Sequence, residues 1–482
     1  MRAATYCTKR KFPPACTAIN LCPEQGRIVM KKFFAAAATL GLYLGMSASG
    51  MAAPSVYPTG TTIYDPAQAQ NGYVLISVDY KDVYARVDNR EYMTGEVDFN
   101  SPGAVPRGEN SDLVFLMDMN GNVVNTWKDL GDNKKCYLLP DGHLLSISET
   151  RSEVTEYDWD GKVVWNFATK LGPHHDGRRL ANGNTLILCY ETVPASVIRN
   201  VENQTTQWWG TQDRANAKLR GDTIIEVNPE GKIVWSWSAS EHLDINRYMP
   251  LTGMNDWTHG NTVSVIPPNK WYDAGDKRFK PGNIMYNPRH FDEFVIIDRE
   301  SGDVVWSLKG FKAMGGLGQC HEPIMIEKGK PGAGNIMVFD NGLFTRNGAH
   351  AGQTVVWEID PSTSKAVWRY VPAVAGSFRF LSKYKGSAYK MDNGNVLISE
   401  DYAGRVFQVK PDATHPDGGA IVWEYVYPSV ISRTSLYPYD YCPQLKALKK
   451  PAEQKVSPLD PGFWQVLPDA ERKGGVVVKT GR

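Results

Sequence analysis

The sequence predicts an all-β chain, and within that class a six-bladed β-propeller with a short N-terminal extension and an irregular C-terminal tail. Three observations carry this. The 482 residues include 44 Gly and 14 Trp among many short Val- and Ile-rich runs, the composition of a protein of many strands and turns. One hairpin pattern recurs six times: "LVFLMDMNGNVVNTW", "VTEYDWDGKVVW", "IIEVNPEGKIVWSW", "FVIIDRESGDVVW", "VVWEIDPSTSKAVW" and "VFQVKPDATHPDGGAIVW". Each pairs apolar residues around an Asp/Asn/Gly turn and ends near a Trp. Between these lies a second pattern, "YLLPDGHLLSI", "RRLANGNTLIL", "PGNIMYN", "GAGNIMVFD" and "YKMDNGNVLIS", again a tight turn with an apolar strand. A Trp hairpin and the second hairpin that follows it make a four-stranded unit, with repeats of roughly 40 to 70 residues, as in propeller blades with insertions. A hairpin cannot bury both faces alone, so units must pack on neighbours and the ring must close. A pair of β-sandwiches or an open array explains six related units less well.

The elements follow in chain order. Residues 1–29 read as an upstream mis-start. Residues 30–52 have the layout of a secretory signal peptide: Lys31-Lys32, an apolar run from Phe33 to Met46, and small residues from Gly50 to Ala53. That run is too short to span a membrane comfortably, so no stable membrane anchor is expected. Residues 53–110 form an N-terminal extension whose strand Gly72–Val78 is expected to complete the last blade. Residues 111–445 form the propeller, and 446–482 a Lys- and Pro-rich tail without periodicity. Of the seven cysteines, Cys136, Cys189, Cys320 and Cys442 lie beyond the leader and form no CxxC pair. Cys136 and Cys189 adjoin apolar strands and are expected to be buried as small hydrophobes.

The net charge is +1 with no long run of one sign, which argues against a nucleic-acid groove or a polybasic membrane patch. The nine histidines are more informative. His174-His175 in "GPHHDG", His259 in "NDWTHGNTVSV" and His321 in "GLGQCHEPIMI" occupy comparable places in three successive repeats. In a propeller such positions lie at equal radius and meet near the axis. His143, His242, His350 and His415 lack that register and read as surface or packing residues. Imidazoles at an axis can bind zinc or copper, act as nucleophile and acid–base, or hold an anion. Asn261 and Arg289 accompany them. Both are poor metal ligands and good oxyanion donors, and Arg offers a planar fork. His, His, Asn and Arg therefore suit a tetrahedral anionic group better than a cation; Cys320 beside His321 keeps a metal hydrolase in view.

The pieces "HHDGRRLANGNTLIL", "DWTHGNTVSV", "NPRHFDEFVIIDRESGDVVW", "GQCHEPIMI…GNIMVFDNG" and "GSAYKMDNGNVLISEDYAGRVFQV" resemble the bacterial aryl-sulfate sulfotransferases, from about Leu113 to Val426. The resemblance implies a periplasmic, nucleotide-independent and cofactor-free transfer of a sulfuryl group from a phenolic sulfate ester to a phenol. The route it implies is ping-pong, through a sulfated histidine. It makes His321 the nucleophile; His259 and Asn261 would hold and protonate oxygens, Arg289 would bind the sulfuryl oxygens, and His174 or His175 would complete the ring. The partners implied are an aryl sulfate donor and a phenolic acceptor, with no metal and no nucleic acid, and with room for a homodimer. Departures are the lack of space for a further β-sandwich ahead of the propeller, and the segment "PPNKWYDAGDKRFKPGN", expected to alter the pocket mouth. A late hydroxyl residue is sought at Ser387. Rival readings are a non-catalytic propeller binding an anionic or aromatic ligand, the metal hydrolase, and a quinoprotein dehydrogenase. The last is suggested by "DRESGDVVW" but disfavoured by six repeats and no adjacent cysteines.

Overall fold

The computed structural model describes residues 59–78, 113–131, 133–199, 219–246, 256–309, 317–342, 353–372, 380–382 and 384–458. The leader, the signal segment 30–52, His350 and the end of the tail lie outside them. The described strands form six antiparallel sheets arranged as the blades of a propeller.

The chain enters through β1 (Gly60–Tyr64), then lays down blade one as β2 (Tyr73–Val78), β3 (Val114–Asp118) and β4 (Val123–Trp127). Blade two is β5 (Asn133–Leu138), β6 (Leu144–Ser148), β7 (Glu153–Tyr157) and β8 (Val163–Ala168). Blade three is β9 (Pro173–Arg179), β10 (Thr185–Thr192), β11 (Arg220–Val227) and β12 (Ile233–Ser238). Blade four is β13 (Gly260–Val265), β14 (Ile284–Pro288), β15 (Phe294–Ile297) and β16 (Val304–Leu308). Blade five is β17 (His321–Met325), β18 (Ile336–Asp340), β19 (Val355–Asp360) and β20 (Lys365–Tyr370). Blade six is β21 (Ser387–Lys390), β22 (Val396–Glu400), β23 (Arg405–Pro411) and β24 (Gly419–Val426), and β25 (Ile431–Tyr437) follows.

Two details depart from the sequence expectation. The strand at Gly72–Val78 does not complete the last blade. It is β2, the second strand of blade one, and the innermost strand of that blade is the C-terminal β25, paired antiparallel to it. What reaches blade six from the N-terminus is β1, which adds a fifth strand on β24. Blades also begin half a unit away from the sequence frame: each consists of the second recurring hairpin followed by the Trp hairpin. Blade one has no inner hairpin of its own because its two inner strands come from opposite ends of the chain. That explains six copies of one pattern and five of the other.

Burial follows strand position. The middle strands β18 and β22 are buried at every residue, whereas the outer strands β8 and β20 are largely exposed. The Trp repeat has a single structural meaning. Each outer-strand indole N–H donates to a backbone carbonyl at the outer turn of the next blade: Trp127 to Asp158 (2.9 Å), Trp165 to Pro229 (2.9 Å), Trp235 to Arg299 (3.1 Å), Trp306 to Pro361 (3.1 Å), Trp368 to Gly418 (2.8 Å) and Trp423 to Met119 (2.8 Å). A buried indole needs a partner for its one donor, and here that partner staples neighbouring blades round the ring. Cys136 and Cys189 are buried thiols, as are Cys320 and Cys442, and none of the four is bridged.

The inner strands carry a second repeated device. His175 and His259, Glu322, Lys385 and Arg433 all have left-handed backbones, with φ of 53°, 45°, 49°, 61° and 42°. Each sits at or beside the start of an inner strand, in blades three, four, five, six and one respectively. The ladders of β9, β13, β17 and β25 slip register in the same region. Such bulges re-aim side chains, and non-glycine residues adopt this backbone at a cost that clusters at functional sites.

Candidate active site

The site is built on the bulged ends of the inner strands. His321, the first residue of β17, is 3 % exposed. Its Nδ1 lies 2.7 Å from Asn341 Oδ1, and its Nε2 accepts the Lys385 backbone N–H at 3.2 Å. Asn341 cannot turn, because its Nδ2 donates to the Ser382 and Lys385 carbonyls, each at 2.8 Å. An amide oxygen only accepts, so His321 carries its proton on Nδ1 and keeps the lone pair on Nε2. Burial, then the charges of Arg289 and Arg433, push its pKa well below the ordinary histidine value. The ring is therefore neutral and nucleophilic.

Arg289 stands in a short 3-10 turn (Arg289–Phe291) directly after β14 and is 8 % exposed. His290, beside it, donates Nδ1–H to the Asp256 carbonyl at 2.8 Å, and burial with the neighbouring His259 pushes its pKa down to about 3. The His290 ring stacks on that of His259, centroids 4.7 Å apart. His259 Nδ1 is 2.7 Å from Asp256 Oδ2, and Asp256 also receives Arg220 at 3.0 Å. Burial alone would raise the Asp256 carboxyl; His259 first, then His290 and Arg220, hold it well below the usual range. An ionised Asp256 steadies positive charge on His259, the arrangement of a proton donor.

The histidine pair divides its labour. His174 is fully buried, stacked on Tyr190 at 3.8 Å, with Nε2 3.1 Å from Asp222 Oδ1. Its Nδ1 meets His175 Nδ1 at 2.9 Å. One Nδ1 of the pair donates to the other, which holds the two rings together, while the His174 Nε2 and Asp222 Oδ1 atoms approach without hydrogen-bond geometry. His175 is the member that faces its fellow histidines: its ring centroid is 5.0 Å from that of His259. His174 holds it there. Burial would raise the Asp222 carboxyl, but the contact and charge of His174 overcome this and keep it lowered.

Asn261 belongs to the support. It is fully buried, its Nδ2 donates to the Cys320 carbonyl at 3.0 Å, and its Oδ1 accepts from Thr262 Oγ1 at 2.9 Å. It thereby fixes the residue that precedes His321. Ser387 is fully buried at the start of β21, and its Oγ has no hydrogen-bond partner among the described residues. The insertion between β13 and β14 does not reach the mouth. β13 begins beside His259 and runs away from it, so residues 266–283 follow its far end, where Phe279 is buried and Trp271 Nε1 donates to the Gly334 carbonyl.

Sequence reasoning missed the residues that hold the imidazoles: Asn341, Asp256, Asp222 and the backbone of Lys385. Two of them sat inside quoted motifs, Asn341 in F-D-N-G and Asp256 in D-W-x-H-x-N. It also missed a buried ionic cluster farther along the inner strands. Glu322 accepts from Lys135, from Arg178 Nη2 at 2.7 Å and from Tyr389 Oη at 2.7 Å, and lies 2.9 Å from Arg433 Nη1. Asp176 lies 3.5 Å from Lys135 and from Arg178 and 3.6 Å from Arg433, and accepts from Tyr137 Oη at 2.9 Å. Arg178 and Arg433 balance the two carboxylates, and Lys135, whose pKa burial and then the charge of Arg178 push down to about 7, adds positive charge below neutrality.

Among the described residues, Asp256, His259 and His290 are spaced to hold a cation, as are Asp141, His143 and Glu156 nearer the surface. The first group suits a cation poorly. Its Asp256 oxygen and His259 nitrogen already bond each other, and the Arg220 and Arg289 guanidinium groups stand against it. The arrangement as a whole is a neutral nucleophilic imidazole, a carboxylate-backed imidazole and a buried guanidinium, which suits an anionic tetrahedral group undergoing transfer.

Solved structures align with the chain at low identity. A protein of unknown function from Bacteroides caccae aligns at 13% identity over 76% of this chain and 98% of its own, with TM-score 0.42. A catalytically inactive virginiamycin B lyase variant from Staphylococcus aureus, solved with quinupristin, aligns at 11% identity over 65% of this chain and 77% of its own, with TM-score 0.34. No curated protein sequence matches significantly. The Arylsulfotransferase (ASST) family profile, by contrast, matches residues 84–433, a span that holds blades two to six, the outer strands of blade one, His174, His175, His259, Asn261, Arg289 and His321, and by that match the chain belongs to the arylsulfotransferase family.

Proposed function

We propose that the protein moves a sulfuryl group from an aryl sulfate ester to a phenol by a ping-pong route through His321, in the periplasm after removal of residues 30–52. The observation that carries this reading is the His321 ring: neutral, locked by Asn341 with Nε2 as the lone-pair nitrogen, and under the charge of Arg289.

In the first half-reaction the Nε2 lone pair gives up the Lys385 N–H and forms a bond to sulfur as the bond from sulfur to the aryl oxygen breaks. The aryl oxygen leaves with the electron pair and takes a proton from His259, whose positive charge before the transfer Asp256 balances. Arg289 meets the sulfuryl oxygens, and one well-placed donor of this kind is worth about 3 kcal/mol of barrier. The sulfated imidazole is cationic at the ring, so it leaves readily in the second half-reaction. A phenol then gives its proton to neutral His259 as its oxygen bonds sulfur, and His321 is restored. His175, held by His174, stands beside His259 with its ring centroid 5.0 Å away.

The test is mass spectrometry of the His321 peptide after incubation with an aryl sulfate and no acceptor. A sulfuryl adduct on His321, released on adding a phenol, is the expected result. Free phenol produced with no adduct on any histidine, or an adduct on His259 or His175 instead, would overturn the assignment.

A further inference from the structure

Arg433 takes no part in the steps above, yet its contacts single out the residues beside each site histidine. It is the third residue of β25, 4 % exposed and left-handed in its backbone, and its N–H donates to Asp401 Oδ2 in blade six at 2.9 Å. Its Nη1 stands 2.9 Å from Glu322 Oε2 and 3.6 Å from Asp176 Oδ2, while its Nη2 donates to the Asn261 carbonyl. Asp176 follows His175, Asn261 stands two residues after His259, and Glu322 follows His321. One planar fork thus ties blades three, four and five at the axis, one residue from the chemistry or two. Lys135 and Arg178 share the same carboxylates, but of these three cations only Arg433 donates to the Asn261 carbonyl.

We propose that Arg433 is a positioning residue for His175, His259 and His321, delivered by the strand that closes the ring, so that the cradle forms only when β25 has docked on β2. An Arg suits the place because one planar guanidinium donates to the Asn261 carbonyl through Nη2 while Nη1 sets its charge beside Glu322 and Asp176 without a hydrogen bond to either, whereas an ammonium is a single point. The groups facing His321 are Arg289 from the turn after β14, His259 ahead of β13, Asn341 after β18, the Lys385 backbone ahead of β21, and Arg433 itself. Removing Arg433 withdraws one of two nearby guanidinium groups and strengthens the pull of Glu322 on a proton at His321.

The kinetic readout rests on the sulfuryl-transfer reading; a second readout does not. In the full-length Arg433→Met protein, kcat with an aryl sulfate is expected to fall at least tenfold, with donor KM changed less than about twofold. The acid limb of kcat/KM should move to higher pH. Arg433→Lys should keep the acid limb where the wild type has it and still lose kcat. A folded Arg433→Met protein with wild-type kcat and an unmoved limb overturns the proposal. If Arg433→Met does not fold, wild-type kcat in Arg433→Lys does so. The second readout is the imidazole NMR titration of His321, assigned through His321→Gln. The resonance should titrate at higher pH in Arg433→Met than in the wild type, whether or not the protein turns over aryl sulfates. An unchanged titration overturns the proposal, and an absence of wild-type turnover with a shifted titration counts against the transfer reading alone.

Discussion

At the scale of single residues, the site is three imidazoles, each given a distinct state by one partner. Asn341 makes His321 a neutral Nδ1–H tautomer, Asp256 charges the environment of His259, and His174 holds His175. Replacing Asn341 by Ala should slow formation of the sulfated enzyme by about 10²-fold or more, since a misplaced proton is as damaging as a missing ring; stopped-flow release of a chromogenic phenol measures it. Arg289→Ala should cost about 10²- to 10³-fold in kcat while leaving the thermal midpoint nearly unchanged, because Arg289 acts on developing charge. The lowered pKa of His321 has a definite sign. The neutral, attacking form persists as pH falls through the ordinary imidazole range, so the acid limb of kcat/KM should lie well below 6.5, the ordinary histidine value. A limb at that ordinary value in the pH–rate profile would mean a solvated nucleophile. The imidazoles themselves were legible in the sequence because they recur in register. Their partners were not, since Asp222 and Asn341 lie on second strands or beyond, where only the folded ring brings them to the histidines.

Strands and turns show which repeats serve architecture. The Trp hairpins were legible as hairpins from turn chemistry and alternation, but the reason for the Trp was not, because its acceptor is a carbonyl of a different blade. The six docks differ in burial. Trp423 is fully buried and spans the seam between blades six and one, whereas Trp165 is half-buried at the rim. Trp423→Phe should therefore destabilise by about 2 kcal/mol or more, from lost volume and a lost hydrogen bond, and Trp165→Phe by less than about 1 kcal/mol; denaturant melts of the two variants compare them directly. The pairing of hairpins into blades was misread by one hairpin for a related reason. Periodicity reports that a unit repeats and is silent on where it starts. Only the pairing of β25 with β2 sets the frame, and those strands are separated by most of the chain.

For the whole molecule, the axis is closed by charge. Lys135, Asp176, Arg178, Glu322 and Arg433 come from blades two, three, five and one, and blade four contributes the Asn261 carbonyl and the Val263 backbone, which accepts from Arg178 and donates to Asp176. Burial alone would raise the Glu322 carboxyl; Lys135, then Arg433 and Arg178, outweigh it and hold the pKa far below the ordinary glutamate value. A carboxylate so depressed stabilises the fold above its unfolded pKa and loses that contribution as pH falls through and below the ordinary glutamate range. Glu322→Gln should then cost about 3 kcal/mol near neutrality, by leaving buried cations unpaired. It should also flatten the decline of stability between roughly pH 5 and pH 3, measured by calorimetric scans across that interval. The indole docks and the axial charges together bear on how the number of blades is kept. Each blade offers its neighbours the same peripheral clasp, so the periphery would accept a duplicated copy anywhere in the circle. At the centre the blades bring different sets of groups that already satisfy one another, and a seventh would find a clasp waiting and no vacancy among the ions. The count is enforced from within.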